Sequence, residues 1–123
     1  AAAFRRAETS LGALPPRAYL TSAQYNRYDV GDHFDVFHVD EVECATAYKT
    51  LSMVVFLSEP GEFNGGHFQI HVTLPRGCES VSQMDDNDNS VVTLHTPANS
   101  AVVFDARATP HRVTRDTHGI RRT

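Results

Sequence analysis

The chain has no long apolar run, and that absence excludes a membrane-crossing helix, which needs about 20 consecutive apolar residues. It also has no excess of positive charge: 11 Lys and Arg stand against 15 Asp and Glu, a net charge of -4. A broad phosphate-binding face is therefore not expected, and without a basic stripe rich in aromatics neither is a nucleic-acid partner. Cysteine is scarce, with Cys44 and Cys78 in no C-x-x-C arrangement. Such a pair reads as two reduced, partly buried thiols rather than a disulfide framework. The opening AAAFRRAETSLGALPP is too broken by charge to be the apolar region of a signal peptide. A soluble chain is expected, with the cytoplasm favoured and no membrane partner. No internal repeat or low-complexity linker divides the 123 residues, so the expectation is one domain over 1–123 with its core from about residue 20, whether whole or a piece of a longer chain. Oligomeric state is not readable from these features.

What is present is mostly strand. Residues 3–13, AFRRAETSLGA, carry good helix formers, and Pro15-Pro16 ends any helix there. From Leu20 onward, YLTSAQYNRYDV has the aromatic and β-branched composition of a strand, and Gly31 marks a turn or bulge. LSMVVFL at 51–57 reads as a buried strand followed by a tight loop, SEPGEFNGG. HFQIHVTL, SVVTLHTP and SAVVFDA are further strands, with the polar loop QMDDNDNS before the second of them. HRVTRDTHGIRRT closes the sequence as one or two short strands around a turn at Gly119. Short strands punctuated by Gly, Pro, Asn and Asp predict an all-β sandwich or barrel with minor N-terminal helix.

The seven histidines are more than a chain of this size ordinarily needs. Two His-x-Asp pairs stand close together, His33-Phe34-Asp35 and His38-Val39-Asp40. Residues two apart on a strand share a face and residues five apart do not, so without a bulge only one pair can look inward. Two histidines and one carboxylate on one face of a metal leave three adjacent positions open, the arrangement that suits non-haem Fe(II) chemistry. The second histidine must come from a distant strand, and His111, just after SAVVFDA, meets that need. Ten residues further stands Arg121, a bidentate partner for a carboxylate.

Taken in order, Tyr28-x-x-Gly31, His38-x-Asp40, LSMVVFLSE, Gly65-Gly66-His67-Phe68 and AVVFDARATPHRVTRDTHGIRR resemble the Fe(II)- and 2-oxoglutarate-dependent dioxygenases, in particular the prolyl 4-hydroxylase-like branch. The resemblance spans roughly residues 25 to 121. It implies a double-stranded β-helix, also called a jelly-roll or cupin-like barrel, with iron held by His38, Asp40 and His111. It further implies 2-oxoglutarate as co-substrate with its distal carboxylate on Arg121, O2 as oxidant, and ascorbate as an optional reductant. Tyr28 and Thr123 would take secondary co-substrate roles. The implied activity is hydroxylation of an aliphatic C–H, foremost in a peptidyl prolyl residue, with a free amino acid or other small molecule as the alternative substrate. From a different class, a non-catalytic β-barrel binding module remains as the alternative function.

Two departures from the family pattern stand out. His38 follows Tyr28 by ten residues rather than nine, which predicts one inserted residue and places Phe37 in a bulge. The strand position where the branch often has a co-substrate-binding tyrosine is Phe56, which has no hydroxyl to give. Among the other polar residues, His33 and Asp35 read as a rim pair, and His95 and His118 as surface residues. His67 and His71, four apart, share a face of their strand and either line a substrate pocket or meet solvent. The segment DDNDN at 85–89 lacks the glycine and closing glutamate of a calcium loop. Arg112 and Arg115 read as solvated charges that could meet an anionic substrate.

Overall fold

Among the described residues the first four strands each pair with one of the last four, and that nesting gives the architecture its double-stranded character. The structure, a computed structural model, describes residues 22–40, 51–72 and 90–123. Within them run β1 (Arg27–Tyr28), β2 (Phe34–His38), β3 (Leu51–Phe56), β4 (Phe63–Gly65), β5 (Phe68–His71), β6 (Val91–Leu94), β7 (Ser100–Asp105), β8 (His111–Val113), β9 (Asp116–Gly119) and β10 (Arg121–Arg122). The pairs β1–β10, β3–β7 and β4–β9 form separate antiparallel ladders, and β2-β8-β5-β6 form a four-stranded sheet. The 3-10 turn Pro60–Glu62 is the only helical element among the described residues, and none of these residues forms a helix long and apolar enough to cross a membrane. The predicted helix over 3–13, Cys44 and Cys78, and the loop over 83–89 lie outside the described residues.

The longest ladder follows from composition. LSMVVF and SAVVFD, both β-branched and apolar, pair residue for residue from Leu51 against Asp105 to Phe56 against Ser100. Their inward residues meet those of the four-stranded sheet in one core. Phe56 and Phe104 from the ladder pack with Phe68 and Val113 from the sheet, and Tyr28, Val54, Ile70, Leu94 and Val102 close around them. Phe68 is the hinge of this cluster, with its ring 6.0 Å from both Phe56 and Phe104. Burying each such side chain contributes roughly 1.5–3 kcal/mol.

Several sequence expectations are corrected. Among the described residues of YLTSAQYNRYDV, only Arg27–Tyr28 form a strand, because strand propensity is realised where a partner strand exists and β10 offers two residues. LSMVVFL is a strand, but only Phe56 in it is buried. SEPGEFNGG holds a 3-10 turn and β4 rather than a plain loop. Glu59 N–H donates to Glu62 Oε2 at 2.9 Å, closing that turn, and the chain emerges extended at Phe63. HRVTRDTHGIRRT forms three short strands, and Gly119 is the last residue of the second of them. It is part of that strand because β4 lies against it at close range: with φ 82° it has a backbone few other residues adopt, and a Cβ there would sit 2.0 Å from Glu62 O. Gly31, with φ 96°, does sit in a turn.

Replacing Phe68 with Ala should lower unfolding free energy by about 3–5 kcal/mol, read as a shift of the urea midpoint at constant slope. Gly119→Ala should also destabilise, by more than the ~1 kcal/mol of an unstrained change, since its Cβ has no room.

Candidate metal centre

The ladder between β2 and β8 sets His38 directly opposite His111. Four residue steps on β2 from Phe34 to His38 face two on β8 from Val113 to His111. The predicted bulge is therefore real and holds two extra residues rather than one. Phe37 lies within it, buried, edge-on to His71 with ring centres 5.3 Å apart and beneath the Arg112 guanidinium at 4.4 Å. That packing anchors the distortion. Beyond the strand the chain turns, and Asp40 N–H donates to Ala106 O at 2.9 Å, carrying its carboxylate back toward both imidazoles.

Both histidines are oriented by their own main chain. His38 Nδ1 lies 3.1 Å from Val36 O and His111 Nδ1 lies 3.0 Å from Thr109 O. A carbonyl only accepts, so each Nδ1 carries a hydrogen, which leaves Nε2 as the ring nitrogen free to serve a metal. Those Nε2 atoms stand 3.8 Å (His38) and 3.3 Å (His111) from Asp40 Oδ1. Taking one donor atom from each residue, all three lie within 4.8 Å of one another. His111 is held from behind by the rings of Phe104 and Phe68, at 4.8 and 5.4 Å. The other carboxylate oxygen of Asp40 accepts a hydrogen bond from the Ser52 hydroxyl.

Electrostatics favour a cation at this point. The hydrogen bond from His111 holds the Asp40 carboxyl below the usual carboxylate range, against the effect of burial and with help from Ser52. Burial pushes the His38 imidazole down from its ordinary value, and the neighbouring His111 adds to this. A cation between the carboxylate oxygen and the two Nε2 atoms would take the place of the hydrogen that His111 shares with Asp40. Two imidazole nitrogens and one carboxylate oxygen are the donor set of an open-sided transition-metal site. The side chain of His111 is 7% exposed against 30% for His38 and 37% for Asp40, so the centre is approached over His38 and Asp40.

A second polar site lies on the other side of Phe68. Arg121, on β10, is 2% exposed, and neither its NH1 nor its NH2 has a hydrogen-bond partner. Its guanidinium sits over the rings of Tyr28 and Phe56, at 5.1 and 5.8 Å. Burial lowers its pKa, opposed by Tyr28 and by Asp116, yet a guanidinium stays charged. Buried donors of a charged group left without a hydrogen bond cost roughly 1–3 kcal/mol or more, which suits a cavity meant to receive an anion. That cavity is lined by Phe56, Phe68, Asn64, His67, Thr96 and Arg121 among others. Gly66 lets the arginine lie flat: a Cβ there would stand 3.1 Å from Arg121 Cδ and 3.4 Å from Asp116 Oδ2.

The remaining expected residues fall as follows. Thr123 exchanges backbone hydrogen bonds with Asn26, at 2.8 and 3.0 Å, extending the β1–β10 pairing; it is not among the residues lining the cavity. His33 pairs with Asp35 at 3.0 Å and meets Arg115 NH2 at 2.7 Å on the exposed rim, outside the three-residue cluster. His67 and His71 part company: His67 is exposed at the cavity, while His71 is buried against Phe37. His95 is exposed, 5.7 Å from His67 ring to ring, and lines the same cavity; His118 is exposed on β9. Arg112 and Arg115 are tied down rather than merely solvated, Arg112 Nε to Gln69 Oε1 at 2.8 Å and Arg115 NH1 to Gly31 O at 2.9 Å. Sequence reasoning did not pick out Ser52, a hydroxyl within an ordinary strand pattern that nothing in that pattern distinguishes.

A family model described as the 2OG-Fe(II) oxygenase superfamily matches residues 23–123. No curated protein matches the chain.

Ser52→Ala should weaken binding of Mn(II), a redox-stable divalent probe, by about tenfold through loss of the carboxylate's outer support, as measured by calorimetry. His33→Ala should leave that affinity unchanged.

Proposed function

The chain belongs to the 2OG-Fe(II) oxygenase superfamily and is a 2-oxoglutarate-dependent dioxygenase; from that premise we propose that His38, Asp40 and His111 hold the iron and Arg121 the distal carboxylate of 2-oxoglutarate. The observation that carries this is the convergence of two Nε2 atoms and one carboxylate oxygen within 4.8 Å, beside a buried guanidinium whose NH1 and NH2 have no hydrogen-bond partner. The donor set fits Fe(II), and the arginine fits a dicarboxylate. The double-stranded β-helix of the family agrees with a structure whose described regular elements are all strands but for one 3-10 turn, with β1 to β4 laddered to β7 to β10.

When bound, Fe(II) with 2-oxoglutarate and O2 supplies the oxidising power to exchange a substrate C–H for C–OH, releasing succinate and CO2. The protein's part is binding, orientation and exclusion of water. His38 and His111 keep Nε2 available because Val36 and Thr109 carbonyls hold the other ring nitrogen. Asp40 contributes negative charge at one oxygen while Ser52 fixes the second. Phe68 and Phe104 shield the buried side of the centre, leaving the His38 and Asp40 side for substrate. Arg121 gives a carboxylate two donors in one plane, with Tyr28 beneath the guanidinium in a supporting role.

The substrate is an aliphatic C–H of a peptidyl prolyl or similar residue. This rests on the order of Tyr28, Gly31, His38, Asp40, Gly65, Gly66, His111 and Arg121, which resembles the prolyl 4-hydroxylase-like branch. Succinate release should rise when proline-containing peptides are added to the iron-loaded protein and not when free amino acids are. The reverse result would move the substrate to the small-molecule class. His38→Ala with Asp40→Ala should lose Mn(II) affinity by at least about a hundredfold and abolish 2-oxoglutarate turnover. Retained metal and turnover in that variant would remove the ligand assignment.

A further inference from the structure

His67 and His95 have no part in the centre described above, and the sheet sets them opposite each other. The β5–β6 ladder ends with Phe68 opposite Leu94, so one step further His67 stands opposite His95. Two steps back on the same face, Gln69 Nε2 donates to Thr93 Oγ1 at 2.9 Å, so opposed side chains on this face touch. The ring centres of the two histidines lie 5.7 Å apart. Two imidazoles bound to one ion at about 2.0–2.1 Å place their ring centres roughly 4.5–6 Å apart, so the backbone already holds this pair at the spacing a shared metal needs.

Both residues are exposed, and among the described residues neither ring makes a hydrogen bond. Each ring is therefore free to turn about its last side-chain bond, a broad torsion, and aim a nitrogen at a common point. The main chain of His67 is fixed, its N–H donating to Thr114 Oγ1 at 2.9 Å and its carbonyl accepting from Thr114 N–H at 3.0 Å. The surrounding donors set the class of ion. Among the described residues no carboxylate lines the cavity beside the two rings. An all-nitrogen pair suits Cu(II), Ni(II) or Zn(II) rather than Mg(II) or Ca(II), with water completing the shell. Arg121 lines the same cavity, and its positive charge opposes any cation nearby, which makes the site a weak one.

We propose that His67 and His95 form a second metal site, a two-histidine clasp for an ion of the Zn(II) class at the exposed rim of the cavity. It is separate from the cluster of His38, Asp40 and His111 and does not depend on the role given to that cluster.

The test is calorimetric titration of the full chain with Zn(II) at about pH 8, where free histidine is uncharged, with the histidine ring resonances followed by NMR. Two binding steps are expected, and the rings of His67 and His95 should shift together in the second, weaker one. His67→Gln and His95→Gln alter exposed side chains and should leave the melting temperature unchanged. Each should weaken the second step by at least about tenfold, since losing a ligand costs no less than losing its outer support, and each should keep the first. Mg(II) at the same concentration should shift neither ring. A second step that survives in both variants, or is lost in only one of them, would overturn the proposal, as would the lack of a second step up to millimolar Zn(II). If His38→Ala with Asp40→Ala removes neither step, the ligand assignment given above fails and the two-histidine site stands.

Discussion

The pairing of His38 with His111 across the β2–β8 ladder is the contact on which the site depends. Neither strand is long, and β8 is three residues, yet the ladder brings together two side chains 73 positions apart in the sequence. Everything else near the centre serves that juxtaposition. The bulge in β2 lets His38 reach it, Phe37 fills the space the bulge opens, and Phe68 and Phe104 brace His111 from the core. Core and site are therefore not separate regions. The aromatic cluster that stabilises the fold is also the wall against which the imidazole is set.

Much of the fold was legible because its strands announce themselves. LSMVVFL and SAVVFDA are rich in β-branched residues, and they form the longest ladder, six residue pairs in register. Where the reading went astray, the determining factor was tertiary. Residues 22–25 have strand-like composition without pairing to a described strand, and Gly119 resembles a turn glycine until β4 is seen to lie against it. A bulge of two residues instead of one is likewise invisible in a single sequence, because the extra residue carries no distinctive side chain.

The site was legible to the extent that its chemistry is rare. A His-x-Asp pair, a distant histidine and an arginine ten residues beyond it are scarce residue types in a telling order, and the structure brings His38, Asp40 and His111 together while leaving His33 and Asp35 on the rim. Its supporting hydroxyl was not legible. Ser52 differs from other ordinary strand residues only in what surrounds it, and surroundings are a property of the folded chain. The same holds for Arg121: the sequence marks it as a carboxylate partner, but only the structure shows both nitrogens buried and unmet.

The hydrogen bonds from each imidazole Nδ1 to the carbonyl two residues earlier have a consequence for how such a centre endures sequence change. The acceptors are main-chain oxygens of Val36 and Thr109, so the aim of both rings is fixed by the path of the backbone and not by any neighbouring side chain. Positions 36 and 109 can then drift through many residue types without moving the metal point, provided the strand path is kept. A centre built this way leaves a short signature in the sequence and a large freedom around it, so chains that share the chemistry can come to share little else.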